Sequence, residues 1–156
     1  MPQFRSLGEL QKYLEANTAE VLYKHADVER ILAETMRDQV LAVVYAAYTP
    51  EEYVRREDNE GLSDVRNMQV TDVQIDSNGK VRLIFENLTT GNDSMSDEYI
   101  VDTIEEGIKQ NWDNPNGPWS EPREFVEATR TAIKNNPGQL INAIKSGLKA
   151  KGFTVK

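Results

Sequence analysis

Residues 68–85 read Met68-Gln-Val-Thr-Asp-Val-Gln-Ile-Asp-Ser-Asn-Gly-Lys-Val-Arg-Leu-Ile-Phe85. Met68, Val70, Val73 and Ile75 lead into Asp76-Ser-Asn-Gly79, and Val81, Leu83 and Phe85 alternate after it. Two alternating apolar runs around Asn78-Gly79 predict a β-hairpin, because Asn-Gly accepts the backbone angles that a tight turn imposes. The surrounding sequence is helical in pattern, so the fold class is α+β. Two N-terminal helices are expected to pack on a small antiparallel sheet, with C-terminal helices after it. At 156 residues the chain is expected to form one domain, 1–156, with enough length for a core.

Upstream of the hairpin, Ser6-Leu-Gly-Glu9 has the capping-box form. Leu7, Leu10, Leu14 and Val21 recur near helical spacing, which predicts a helix from about residue 6 to 24. Asp27 is placed to cap a second helix, whose apolar stripe is Ile31, Leu32, Met36, Val40, Val43, Val44 and Ala47. Pro50 ends it near Tyr48, so the helical hairpin covers 6–49. Residues 50–110 form the sheet region. Within it, Ser96 or Asp97 begins an element with Tyr99, Ile100, Thr103, Ile104 and Ile108 on one face, read as a helix. Residues 111–122 hold three prolines and both tryptophans and read as a structured loop. Ser120 would cap the next helix, with Pro122 in its first turn. Phe125, Ala128, Thr129, Ala132 and Ile133 form its inner face, and Pro137-Gly138 breaks it. Leu140, Ile141, Ile144 and Leu148 mark a last helix that Gly152 ends, so the C-terminal helices cover 121–151. Phe153-Thr-Val either adds an edge strand or hangs free.

Little in the chain resembles chemistry. With no cysteine, disulfides and thiolate metal sites are excluded. The lone His25 sits between two helices and cannot make a zinc site unaided, so it reads as a capping or surface residue. Nucleotide-binding and hydrolase signatures are missing. Asp76-Ser-Asn-Gly79 resembles the start of a calcium loop but lacks the later ligands, and the hairpin turn explains it better. Glu105-Glu106 beside Trp112 and Trp119 is a poor glycosidase site, since adjacent helical residues diverge. No enzyme activity, cofactor or metal is expected. No apolar run approaches the ~20 residues of a membrane span, and Met1-Pro-Gln-Phe-Arg-Ser6 lacks the apolar core of a signal peptide, which fits a cytosolic setting.

Net charge is −8, unevenly spread. Residues 1–50 carry −2, residues 51–113 carry −10, and residues 114–156 carry +4. The acidic middle cannot hold nucleic acid by phosphate neutralisation. It is either a solvated surface or one half of a head-to-tail contact with a neighbour's basic end, where Lys145 and Lys149 share a helical face.

Two further runs carry a resemblance. The first is Tyr99-Ile-Val-Asp-Thr-Ile-Glu-Glu-Gly107, then the Trp/Pro loop, then Pro122-Arg123-Glu124-Phe125. The second is Tyr53-Val-Arg-Arg56 followed by Gly61-Leu62-Ser-Asp64. Their order resembles the small neck proteins of long-tailed bacteriophages, of the head–tail joining and tail-completion type. That family commonly shows Val-Glu-x-Gly, a variable loop and Pro-Arg-x-Phe, and the resemblance would also permit a strand near residues 99–101 in place of the helix start. Some members carry Tyr-x-Arg-Arg with Gly-Gly-Leu-x-Asp. This chain has Glu60-Gly61 in place of Gly-Gly and Pro-Arg-Glu-Phe in place of the usual Pro-Arg-Pro-Phe, and it lacks the Thr-Gly-x-Leu-Arg motif.

The resemblance implies a structural virion protein, assembled in host cytoplasm, that sits between portal or connector and tail as a tail-completion ring. It implies a hexameric or dodecameric homo-oligomer in contact with other neck and tail proteins. The genome would pass through such a ring without specific binding, and an acidic lumen would repel phosphate. Candidate interface residues are Tyr53, Arg55, Arg56, Trp112, Trp119, Arg123, Phe125, Lys145 and Lys149. The tryptophans serve either as core anchors or as interface anchors, and Arg55 and Arg56 either close local salt bridges or fork onto a neighbour's carboxylates. A second reading is an acidic soluble module that inhibits a nucleic-acid enzyme or host factor.

Overall fold

A computed structural model describes residues 2–47, 49, 55–91, 100–107 and 121–156. Helix α1 (Leu7–Lys24) and helix α2 (Ala26–Gln39) come first, and α2 runs on into a π-helical stretch at Val40–Tyr45. A short 3-10 turn at Val65–Asn67 leads into strand β1 (Met68–Ile75), which pairs with β2 (Val81–Asn87). Helices α3 (Ile100–Glu106), α4 (Phe125–Asn135) and α5 (Gly138–Ala150) complete the order. The α+β expectation, with N-terminal helices, a two-stranded antiparallel sheet and C-terminal helices, holds.

The chain divides into two compact units, each built from distant segments. One comprises Met1–Ile31, Val70–Glu86 and Pro137–Lys156, and the other Leu32–Gln69 and Asn87–Asn136.

In the first unit, the Ser6 side chain accepts from Glu9 N–H at 3.2 Å, as a capping residue should. The Glu9 carboxylate takes the N–H of Arg5 at 2.7 Å, one residue earlier than a closed capping box requires. His25 is the whole junction between α1 and α2. Its N–H donates to Val21 O at 3.0 Å, and its carbonyl accepts from Val28 N–H at 2.9 Å. That carbonyl starts α2 at Ala26, so Asp27 falls inside the first turn, pairs with Arg30 at 3.2 Å, and is not the cap expected of it. Helix α5 packs on α1 where Gly147 lies against Val21 and His25. Val21, Val28, Val70 and Ala143 are the buried apolar residues of this unit.

The hairpin joins the same unit. Val70 N–H donates to Glu29 of α2 at 3.2 Å, and the turn glycine Gly79 lies beside Gln11 and Glu15 of α1. The turn differs from a two-residue Asn-Gly loop. Gly79 N–H closes on Asp76 O at 3.0 Å and Gly79 alone takes a positive φ of 78°, so Ser77 and Asn78 are the central pair. The Asp76 carboxylate stabilises this longer loop by accepting from Asn78 and Lys80 N–H, at 2.9 and 3.0 Å. At the C-terminus, Gly152 has φ 87° and ends α5 as expected. Phe153 makes no strand. Its N–H donates to Leu148 O and its ring packs against Tyr13.

In the second unit, Leu32, Ala33, Met36, Val40, Val44, Leu62, Met68, Ile104 and Phe125 are buried. The α2 stripe continues to Val44, but Val43 is only half-buried and Ala47 is exposed. The π-helical stretch explains the departure. Ala46 N–H bonds to Leu41 O, five residues back, which advances the face relative to regular helical spacing.

Candidate interaction site

The loop before β1 is built around buried polar groups. Ser63 and Asp64 are buried, as are Asn87 and Thr89 from the far side of the hairpin base. Asn87 donates to Leu62 O at 2.8 Å, and Thr89 Oγ1 contacts both Asn87 Oδ1 at 2.6 Å and Gly61 O at 3.3 Å. Asn67 donates to Thr89 Oγ1 at 3.2 Å. Buried polar groups that satisfy one another in this way fix a single loop conformation.

Asp64 is the hub of the loop's own backbone. Its carboxylate accepts from Glu60 N–H at 2.8 Å, from Arg66 N–H at 3.0 Å and from the Arg66 guanidinium. The Arg66 side chain, more than any other group, holds this carboxyl well below the usual carboxylate range. Glu57 and Glu60 both adopt positive φ, 47° and 60°, where non-glycine residues are uncommon. Glu60 therefore takes a glycine-like conformation at the first position of Glu60-Gly61, where the resembling pattern has glycine. Gly61 is required for a different reason. A Cβ there would stand 2.5 Å from both N and O of Glu57.

The first resembling run folds around the end of α3. Gly107, at φ 71°, stops that helix. Arg123 N–H donates to Ile104 O at 3.0 Å, and Glu105 Oε1 accepts from Val126 N–H at 2.6 Å. Helix α4 begins at Phe125, so Pro122 precedes it and is not in its first turn. Glu105, from another helix, supplies the capping oxygen expected of Ser120, which lies outside the described residues. Burial pushes the Glu105 carboxyl up, against the pull of the Val126 and Phe125 N–H groups.

These two runs meet. A cavity of about 120 Å³ has Val44, Leu62, Ile100 and Ile104 among its apolar lining, with Arg55, Arg56 and Arg123 beside them. Arg55 lies over the Tyr45 ring at 4.6 Å and donates to Tyr45 O at 3.2 Å. Arg56 donates to Thr90 O at 2.6 Å. The chemistry offered is recognition of a carboxylate carried on an apolar group. Among the described residues, no group of three or more His, Cys, Asp or Glu is arranged to hold a metal ion.

The expected interface residues thus separate. Arg55, Arg56 and Arg123 gather at one cavity. Phe125, expected both on the inner face of its helix and at an interface, is the largest fully buried side chain among the described residues, because the N-terminus of α4 is tied down against α3. Lys149 on α5 is exposed and Lys145 is half-buried. Their neighbour Lys151 bonds Glu20 of α1 at 2.6 Å, and that contact lowers the Glu20 carboxyl. Tyr53, Trp112 and Trp119 lie outside the described residues. Sequence reasoning missed Glu105 and Asp64. The Asp-x-Arg spacing of Asp64 and Arg66 was a usable signal, whereas nothing local marks Glu105 as a cap.

The model of the YomN family matches residues 6–150. No curated protein and no solved structure matches the chain.

Proposed function

Because the chain belongs to the YomN family, which is phage-derived, we propose that it is a structural virion protein, a neck subunit that joins head to tail as part of a tail-completion ring. The observation that carries this reading is the convergence of Arg55, Arg56 and Arg123 on one apolar cavity. They come from the two runs that resemble neck proteins. A preorganised arginine-lined cavity suits protein–protein recognition, since arginine forks match carboxylates and the held backbone lowers the ordering cost of binding. Its partners on this reading are further copies of the chain and other neck and tail proteins. The acidic charge of the chain suits a passage through which DNA slides without adhering.

Detection of the chain in purified particles, with light scattering on the free protein, tests the proposal. A neck subunit is present at a fixed, ring-compatible copy number in particles and forms rings alone or on its partners. A free monomer or dimer that is absent from particles and blocks a nucleic-acid enzyme would replace this reading with the acidic-inhibitor one.

A further inference from the structure

Charge separates between the two compact units. The unit holding α1, the hairpin arms and α5 carries 10 basic and 8 acidic residues, net +2. The other carries 8 basic and 18 acidic residues, net −10. All of the last 29 residues, 128–156, contain six basic side chains and no acidic one. We infer that the α5 face carrying Ile141, Lys145 and Lys149 docks on the acidic turn at residues 57–60 of a second copy, in a heterologous contact that repeats head to tail. This inference rests on the ring-subunit reading and names the surfaces through which the ring would close.

The basic surface has the required form. Ile141, Lys145 and Lys149 are spaced by four residues and share one side of α5. Lys151 is engaged by Glu20, but neither Lys145 nor Lys149 makes a salt bridge among the described residues. Ile141 is 45% exposed and supplies an apolar contact beside the two ammonium groups.

The acidic turn is equally specific. Residues 57–60 are all exposed and present Glu57, Asp58 and Glu60. The turn is held in place by Asn59 N–H on Arg56 O at 2.8 Å, Glu60 N–H on Asp64 at 2.8 Å, and Ser63 on Asp58 at 3.3 Å. Two non-glycine residues at positive φ are a cost that persists only where surrounding structure imposes it, and such sites cluster at binding and switch regions. A preordered acidic turn loses little freedom on docking. A nucleic-acid backbone is the competing occupant of a lysine face. A chain of net −8 repels it, and the complementary charge is already present in a second copy.

Two full-length variants test the contact, Lys145→Glu/Lys149→Glu and Glu57→Lys/Glu60→Lys, measured by sedimentation velocity at low salt. Each alone should self-associate on the order of tenfold more weakly than wild type, the sum of several individually weak exposed pairs. Mixed in equal amounts they should recover association, because an alternating assembly restores opposite charges at both contacts. Recovery also requires both variants to be folded, and Lys145→Gln/Lys149→Gln gives a milder loss if the reversal disturbs α5. Variants that assemble like wild type, or a mixture of folded variants that does not recover, overturn the contact. Duplex DNA binding by wild type that Lys145→Glu/Lys149→Glu abolishes also overturns it, in favour of a genome-facing helix. If wild type assembles and is present in particles while both variants do likewise, only the contact fails and the ring reading stands. If wild type neither assembles nor enters particles, the ring reading falls and the contact with it.

Discussion

Glu105 accepts a hydrogen bond of 2.6 Å from the backbone N–H of Val126, so one helix caps the N-terminus of another. The first amides of α4 have no partner within their own helix, and Glu124, at the cap position, offers no side-chain bond. The oxygen comes instead from the last turn of α3, twenty-one residues earlier. Together with Arg123 N–H on Ile104 O, it fixes the angle at which the Pro-Arg-Glu-Phe run approaches α3. The cavity wall formed by Arg123 depends on that angle.

Replacing Glu105 separates its oxygen from its charge. Burial raises this carboxyl, so the folded state holds the proton more tightly than the unfolded chain. The linked stability is full below the unfolded value, roughly 4.3, and is lost as pH rises through the higher folded value. Glu105→Gln keeps an acceptor for Val126 and removes the charge. It should equal or exceed wild-type stability at pH 7, with the difference vanishing in acid. Glu105→Ala removes the cap and should lose about 1 kcal/mol in acid and less at pH 7, where the buried charge already weakens the wild type. Urea melts at several pH values measure both. A Gln variant clearly weaker than wild type at pH 7 would mean that attraction to the N-terminus of α4 outweighs burial.

Asp64 should behave with the opposite sign. Its carboxyl is lowered, first by the Arg66 side chain. Its contribution is therefore complete above the unfolded value, roughly 3.9, and fades only as pH falls through the lower folded value. Asp64→Ala leaves Glu60 and Arg66 N–H groups without this acceptor and should lose about 2 kcal/mol. The gap between variant and wild type should be flat from pH 5 to 7 and narrow in stronger acid. A gap that already narrows at pH 6 would assign the effect to another group.

Features that depend on neighbours in sequence were legible from the residues alone. Ser6 caps α1, Gly152 ends α5, and alternation placed both strands, because each effect acts within one turn of chain. The interior stripe Leu32, Met36, Val40 and Val44 was legible for the same reason, until the π-helical stretch shifted its last turn. What was not legible is non-local. Nothing near Glu105 says that it caps a helix beginning at Phe125, and nothing near His25 says that its ring will rest on Gly147. Sequence reasoning pairs Arg55 with Arg56 as guanidinium groups and treats Arg123 separately, within Pro-Arg-Glu-Phe. That Arg123 meets Arg55 and Arg56 at one cavity follows only once α3 and the loop are placed. Phe125 lies on the inner face that its helical spacing predicts, and a side chain buried so completely does not fit its second place among the interface candidates, which came from the Pro-Arg-x-Phe resemblance.

The packing of α5 on α1 can be tested with two glycines of opposite behaviour. A Cβ at Gly147 would stand 2.5 Å from Val21 Cγ1 and 2.7 Å from His25 Cδ2. Gly147→Ala should therefore force the helices apart and lose about 1–3 kcal/mol by overpacking. Gly138, at the first position of α5, has open space around it. Gly138→Ala should gain roughly 0.4–1 kcal/mol by narrowing the unfolded ensemble. Thermal melts of the two variants should move in opposite directions. A neutral Gly147→Ala would show that α1 and α5 are not in contact there.

The turn at residues 57–60 allows stability and association to be pulled apart at a single position. Glu60 holds φ 60°, a conformation that disfavours a side chain by roughly 1–2 kcal/mol. Glu60→Gly relieves that strain, partly offset by roughly 0.5–1 kcal/mol of added freedom in the unfolded chain. The net expectation is a melt equal to wild type or higher. The same change deletes one carboxylate from the acidic turn, so self-association at low salt should weaken, by less than the charge reversals produce. Gly61→Ala is the control. Its Cβ would meet the Glu57 backbone at 2.5 Å, and backbone atoms cannot swing aside as a side chain can, so the melt should fall by about 1–3 kcal/mol. If Glu60→Gly stabilises the fold and strengthens association together, the turn docks through its shape and not through its charge. If it lowers the melt, the Glu60 side chain makes a stabilising contact that exceeds the strain of its backbone.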